Sequence, residues 1–70
     1  MNLLQAQIGT EYTIRSVSTQ DSAMDAFLFS LGCYSGEPIT VVWRRRNNCV
    51  VAIKDSRYSI DRQLAEAIAV

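Results

Sequence analysis

Three consecutive arginines, Arg44, Arg45 and Arg46, follow Trp43 and form the densest charged feature of this 70-residue sequence. A guanidinium is planar and permanently charged, so such a cluster suits carboxylates of another protein or phosphates of RNA. Successive side chains of a strand point to opposite faces, so the three cannot all face one way. The plainest reading is a solvated hairpin tip that blunts a sheet edge. Contact with a protein partner is the second reading, and nucleic acid the third. Other chemistry is sparse. The chain has no His, which removes the commonest general base and the commonest transition-metal ligand. Ser, Tyr and Cys occur without a base to activate them, and Lys54 beside Asp55 reads as a strand end next to a turn. No enzymatic activity and no cofactor is expected.

Metal binding fares similarly. Asp21 and Asp25, four apart on one helical face, could share a weakly bound cation. The simpler reading is a helix N-terminus whose acids favour its dipole. Glu37, Asp55, Asp61 and Glu66 stand alone, so no metal site is assigned. Cys33 and Cys49 form no C-x-x-C pair, and free buried thiols in a reducing cytosol are expected rather than a disulfide. Seven Lys or Arg balance seven Asp or Glu, and zero net charge gives no electrostatic reason to bind nucleic acid or an anionic membrane. With 49% hydrophobic residues the chain has enough material for one thin core, so residues 1–70 are expected to form a single small domain. Met1 to Gln7 lacks the cationic start and apolar run of a signal peptide. The longest apolar run, Cys49 to Ile53, is far too short to span a bilayer. The expected location is the cytoplasm, with no membrane insertion.

The elements that must position these residues follow from periodicity and breakers. Leu3 and Leu4 are expected to pack down as an N-terminal anchor. Glu11 to Val17 alternates as a strand, with one slip at Val17. From Asp21 to Leu31 the period becomes helical: Met24, Phe27, Leu28 and Leu31 make one apolar stripe. Ser22 and Asp25 have capping-box spacing, and Gly32 sits where a left-handed residue would end the helix. Phe29 lies off the stripe, either tucked under a loop or exposed as a contact anchor, with Tyr34 nearby. Pro38 opens a second strand on which Ile39, Val41 and Trp43 share a face, so Trp43 is expected in or beside the core. Arg45 to Asn48 is a hairpin turn in which the asparagines tolerate positive φ. Cys49 to Lys54 reads as a strand covered on both faces, and Asp55-Ser56 as a turn into Arg57 to Ile60. Asp61 caps one helical turn, and Ala67 to Val70 is a last short strand.

Strands this short cannot each remain an open edge, and closing them into a small barrel with the helix across one opening is the economical solution. The fold class is therefore mainly β: a small SH3-like barrel of about five strands, with one helix between the first and second. Leu28, Leu31, Gly32 and Gly36 also match, at the right spacing, a Leu-x-x-Leu-Gly-Leu-x-Pro-Gly signature, and Ile60, Ala65, Ile68 and Val70 follow the matching ending. On these residues the chain resembles the bacterial ferrous iron transport protein A (FeoA) family over nearly its whole length. Cys33 stands where relatives carry an aliphatic residue, and Ser35 where they carry Pro. Ser22, Ala23, Asp25 and Ala26 occupy helix positions where many relatives have Arg or Lys.

The resemblance implies a cytoplasmic accessory module that touches the GTPase part of the FeoB ferrous iron transporter, without itself carrying iron. Contact is assigned to Phe29 and Tyr34 near the helix and to Arg44, Arg45 and Arg46 at the hairpin. The same barrel occurs as the C-terminal domain of DtxR-type iron-dependent repressors, so a stand-alone regulatory domain is one alternative. A nucleic-acid-binding barrel using Trp43 and Arg44 to Arg46 is the other. Self-association through an edge strand, such as the last one, is a further expectation.

Overall fold

The stretch read as one strand from Glu11 to Val17 is two in the computed structural model, which describes residues 1–70. β1 (Glu11–Thr13) belongs to one sheet and β2 (Ser16–Val17) to another. The corner between them is held by backbone bonds on both sides. The Ile14 N–H donates to Glu37 O at 2.9 Å, Gly36 N–H to Ile14 O at 2.8 Å, and Arg15 N–H to Ala69 O at 2.8 Å. The slip in alternation at Val17 is the sequence trace of this corner, and it raises the strand count from five to six.

After β2 come α1 (Ser22–Ser30), β3 (Pro38–Arg44), β4 (Asn48–Ile53), β5 (Ser56–Asp61), α2 (Arg62–Glu66) and β6 (Ile68–Ala69). The larger sheet has the order β1-β3-β4-β5 and the smaller pairs β2 with β6, all antiparallel. Leu3, Ile14, Leu28, Val41, Val51 and Ile68 are buried to within about 1% exposure, so both sheets, the N-terminal segment and one helical residue fill the core. The anchoring role of Leu3 is thus met, with Leu4 half-buried beside it.

α1 departs from its predicted packing. Of the stripe, Leu28 is buried and Leu31 half-buried, whereas Met24 and Phe27 are 45% and 47% exposed. The helix rests on the barrel by a narrow line of contact, because a barrel this small offers no second layer to cover its flanks. Its N-cap is Asp21, one residue before the Ser22 that the capping-box spacing indicates. Asp21 accepts from Ala23 N–H, while the Asp25 carboxylate reaches back to Thr19. The end is as read: Gly32 has φ +92°, its N–H donates to Phe29 O at 3.0 Å, and Cys33 N–H donates to Leu28 O at 3.0 Å. These two bonds satisfy carbonyls that the helix would otherwise leave unpaired.

In β3 the ladder with β4 shifts register between Val41 and Trp43. One extra residue reverses every following side chain. Val41 still points inward opposite Val51, but Trp43 faces Val50 on the outer surface and is 44% exposed. The expectation that Trp43 packs with Ile39 and Val41 is corrected by this bulge. β4 is likewise not covered on both faces: Cys49, Val51 and Ile53 are buried, and Val50 and Ala52 half-exposed. The β4–β5 turn is Lys54-Asp55, with Lys54 at φ +56°, and neither Asn47 nor Asn48 has a positive φ. Asp61 caps α2, accepting from Leu64 N–H at 2.8 Å, as its sequence position indicates. The last strand is not an edge. β6 pairs with β2 on one side, and Asn2 and Leu3 bond to it on the other.

Candidate functional site

The residues singled out in sequence fall into two groups at opposite ends of β4. Gly32 lies against Ile53 and Lys54, which places the end of α1 at one end of that strand. The arginine hairpin leads into Asn48 at the other. Five residue steps of about 3.3 Å put some 17 Å between them. Phe29 and Tyr34 are brought together, and the arginines are not added to them.

Phe29 is 64% exposed and stacks on Tyr34, with ring centroids 4.7 Å apart and planes inclined by 30°. It is held outside because Leu28, one position earlier, takes the inward direction, and each helical residue turns by roughly 100°. Tyr34 is fixed from its other side. Lys54 Nζ lies 5.5 Å from the centre of its ring and donates to its hydroxyl at 3.4 Å. The same ammonium pairs with Glu37 at 3.2 Å. The Tyr34 hydroxyl and then Lys54 hold the Glu37 carboxyl below its usual range, and Glu37 with Tyr34 raises Lys54. Behind the pair, an open groove of about 380 Å³ runs between β2 and α1, lined by Val17, Asp25, Phe29, Cys33 and Tyr34 among others. Burial pushes the Cys33 thiol up to about 11, so it meets the groove as an inert thiol. Cys49 is also raised by burial, against the opposing charge of Arg44, and both cysteines are free and buried.

At the other end the three arginines have three different tasks. The bulge turns Arg44 inward opposite Cys49, where its Nη1 donates to Leu3 O at 2.9 Å and Ala6 O at 2.8 Å. Its guanidinium is therefore occupied within the chain. Arg45 lies over the Trp43 ring at 4.7 Å, both on the surface. Arg46 is exposed, and its carbonyl accepts from Arg62 Nη1 at 3.4 Å. The accessible feature is a tip of Trp43, Arg45, Arg46 and Arg62 rather than a triple-arginine stripe. Arg62 was absent from the sequence reading because only the tertiary fold brings α2 under the hairpin.

A further depression of about 310 Å³ lies between the loop before α1 and α2, lined by Asp21, Asp61, Glu66, Met24 and Leu64 among others. Asp21 and Asp61 have an oxygen engaged in capping. Asp25 accepts from both the N–H and the hydroxyl of Thr19, at 2.9 and 2.7 Å, which lowers its carboxyl. Asp21 and Asp25 thus anchor the loop before α1, and no group of three or more ligating side chains converges anywhere. No helix is long and apolar enough to cross a membrane.

The model of the FeoA domain matches residues 1–70, the whole chain. The chain belongs to the FeoA domain family. FeoA domains are accessory, non-enzymatic modules associated with ferrous iron transport. Among solved structures, the chain is similar to the Stenotrophomonas maltophilia FeoA in complex with zinc, a prokaryotic SH3-domain protein. The TM-score there is 0.87 at 21% identity, covering 100% of this chain and 88% of that one. An iron uptake regulatory protein, also a FeoA, gives a TM-score of 0.86 at 17% identity, covering 97% and 91%. A manganese-dependent transcriptional repressor gives 0.87 at 24% identity over 97% of this chain. The chain spans 39% of that repressor's length. These likenesses, all below 25% identity, carry the SH3-like fold. No curated protein matches the chain by sequence.

Proposed function

We propose that this FeoA-family chain is a cytoplasmic accessory protein of ferrous iron uptake that acts by contact with the GTPase part of the FeoB transporter. The observation that carries the proposal is the exposed Phe29 ring, stacked on Tyr34 at the rim of an open groove. Aromatic side chains are enriched at protein–protein interfaces, and stacking on Tyr34 fixes the ring in advance. The tip of Arg45 and Arg46 offers guanidinium groups to carboxylates of the same partner, and Arg44 holds that tip to the N-terminal segment. No catalytic step is assigned to the chain.

The test is binding of the purified cytosolic FeoB GTPase domain, measured by calorimetry. Binding in the micromolar range, weakened at least about tenfold by Phe29→Ala, is the expected result. Absence of binding at tens of micromolar overturns the proposal. A second reading, a regulatory SH3-like domain of the kind found in metal-dependent repressors, draws on the likeness to the manganese-dependent repressor. It predicts association with a repressor's DNA-binding part in place of the GTPase domain.

A further inference from the structure

β5 is one of the two outer strands of the larger sheet, β1 being the other, and no strand lies beyond it. Its register with β4 determines which of its backbone groups are free. Ile53 and Ser56 close a two-residue turn, so they form a hydrogen-bonded pair, and such pairs alternate along an antiparallel ladder. Tyr58 and Ile60 therefore bond to Val51 and Cys49, while the N–H and C=O groups of Arg57 and Ser59 and the N–H of Asp61 point away from the sheet. None of these outward groups bonds to a loop or cap elsewhere in the chain.

Edges of this kind are usually blunted by proline, by a bulge, by a charge pointing inward or by charged side chains that repel an incoming strand. The only proline is Pro38, the β4–β5 ladder has no register shift, and the inward residues Ser56, Tyr58 and Ile60 are uncharged. The charges that are present, Arg57 and Asp61, lie on the exposed face at equal distances from Ser59. Arg57 has no ion-pair partner, since the chain's one salt bridge joins Lys54 to Glu37. Asp61 uses Oδ1 for capping α2, which leaves Oδ2 unassigned.

We propose that β5 is a self-association edge, on which a second copy of this chain adds antiparallel about a two-fold axis through Ser59. This register sets Ser59 against Ser59 of the partner subunit, Arg57 against Asp61 of the partner subunit, and the reverse. The two Ser59 residues exchange a pair of backbone hydrogen bonds, and each Arg57–Asp61 pair is joined by one, from the Asp61 N–H to the Arg57 carbonyl, because the outward groups of one copy meet the outward groups of the other. The edge is self-complementary in charge as well as in backbone. A two-fold axis requires this, because the same patch must serve both sides. A shift by two residues either way would remove the charge match, so this register is preferred. The contact is one strand wide, smaller than the surface a permanent dimer buries, so it is a weak and reversible association. It uses neither Phe29 nor the arginine tip, and both stay free for another partner.

Sedimentation velocity from roughly 10 micromolar to 1 millimolar, with amide exchange followed by NMR at both ends of the range, tests the proposal. Expected are a monomer–dimer equilibrium within that range and amide exchange at Arg57 and Ser59 that slows as concentration rises. Arg57→Glu sets like charges opposite each other twice and is expected to raise the dimer Kd at least about tenfold, with Arg57→Lys within a few-fold of the parent. Ser59→Pro, tolerated because that N–H faces solvent, is expected to abolish the dimer while the melting curve stays cooperative. A monomer throughout the range overturns the proposal. So does a dimer in which the Arg57 and Ser59 amides exchange freely, or one that Arg57→Glu leaves unchanged.

Discussion

Arg44 provides the sharpest test of how the fold sorts three neighbouring arginines. Its guanidinium spans from β3 to the carbonyls of Leu3 and Ala6, residues 41 and 38 positions away in sequence. Replacement by Met keeps an unbranched apolar stem and removes only the charged head. A hydrogen bond to a charged group contributes about 1.5–3 kcal/mol, and the two carbonyls lose their donor together. The half-buried site recovers part of this through water, so a net loss of about 2–4 kcal/mol is expected for Arg44→Met. A 70-residue domain has about 4–10 kcal/mol in all, so this is a large fraction of its stability. The corresponding fall in Tm is about 10–25 °C. Thermal and urea unfolding followed by far-ultraviolet circular dichroism measures it, with Arg46→Ala as the control, expected within about 0.5 kcal/mol of the parent. Amide exchange should also accelerate from Leu3 to Ala6 in the Arg44 variant. Equal stability of the Arg44→Met and Arg46→Ala proteins would refute the reasoning, because it would mean the guanidinium does not secure the N-terminal segment.

Two other predictions rest on local geometry. Gly32→Ala places a methyl at φ +92°, 3.2 Å from Ile53 Cγ2, and should lower the urea midpoint by an amount equivalent to about 1–3 kcal/mol; an unchanged midpoint would contradict the close approach. Thr19→Val removes the hydroxyl bond to Asp25, so the Asp25 carboxyl, depressed in the parent, should rise toward its ordinary value in an NMR titration. A depressed folded pKa stabilises above the unfolded value and is lost as pH falls through the folded one. The parent should therefore exceed the variant in stability at neutral pH, and the gap should close in acid.

What the sequence determined by itself are features that depend on a few consecutive residues. The helix ending at Gly32, the Asp61 cap, Pro38 at a strand start and the extended apolar segments each rest on a backbone preference or a hydrogen bond reaching no further than a turn. The family signature is legible for the same reason, since it is carried by glycines and leucines at fixed spacing. Of the candidate site, Phe29 and Tyr34 were legible as a neighbouring pair, because five positions across a helix end already bring them close.

Tertiary structure alone decided direction. The corner at Ile14 and Arg15 sends one apparent strand into two sheets, because its bonds go to Glu37, Gly36 and Ala69, far along the chain. The register shift after Val41 turns Trp43 outward and Arg44 inward, reversing what strict alternation predicts for both. Which strand is left open was decided in the same way. The N-terminal segment covers β6, and nothing covers β5. Alternation along a strand fixes only which residues share a face. The face that becomes the interior, and the position where the alternation slips, depend on partners in other elements, from Val50 opposite Trp43 to Ala69 bonded to Arg15, whose pairing no local pattern encodes.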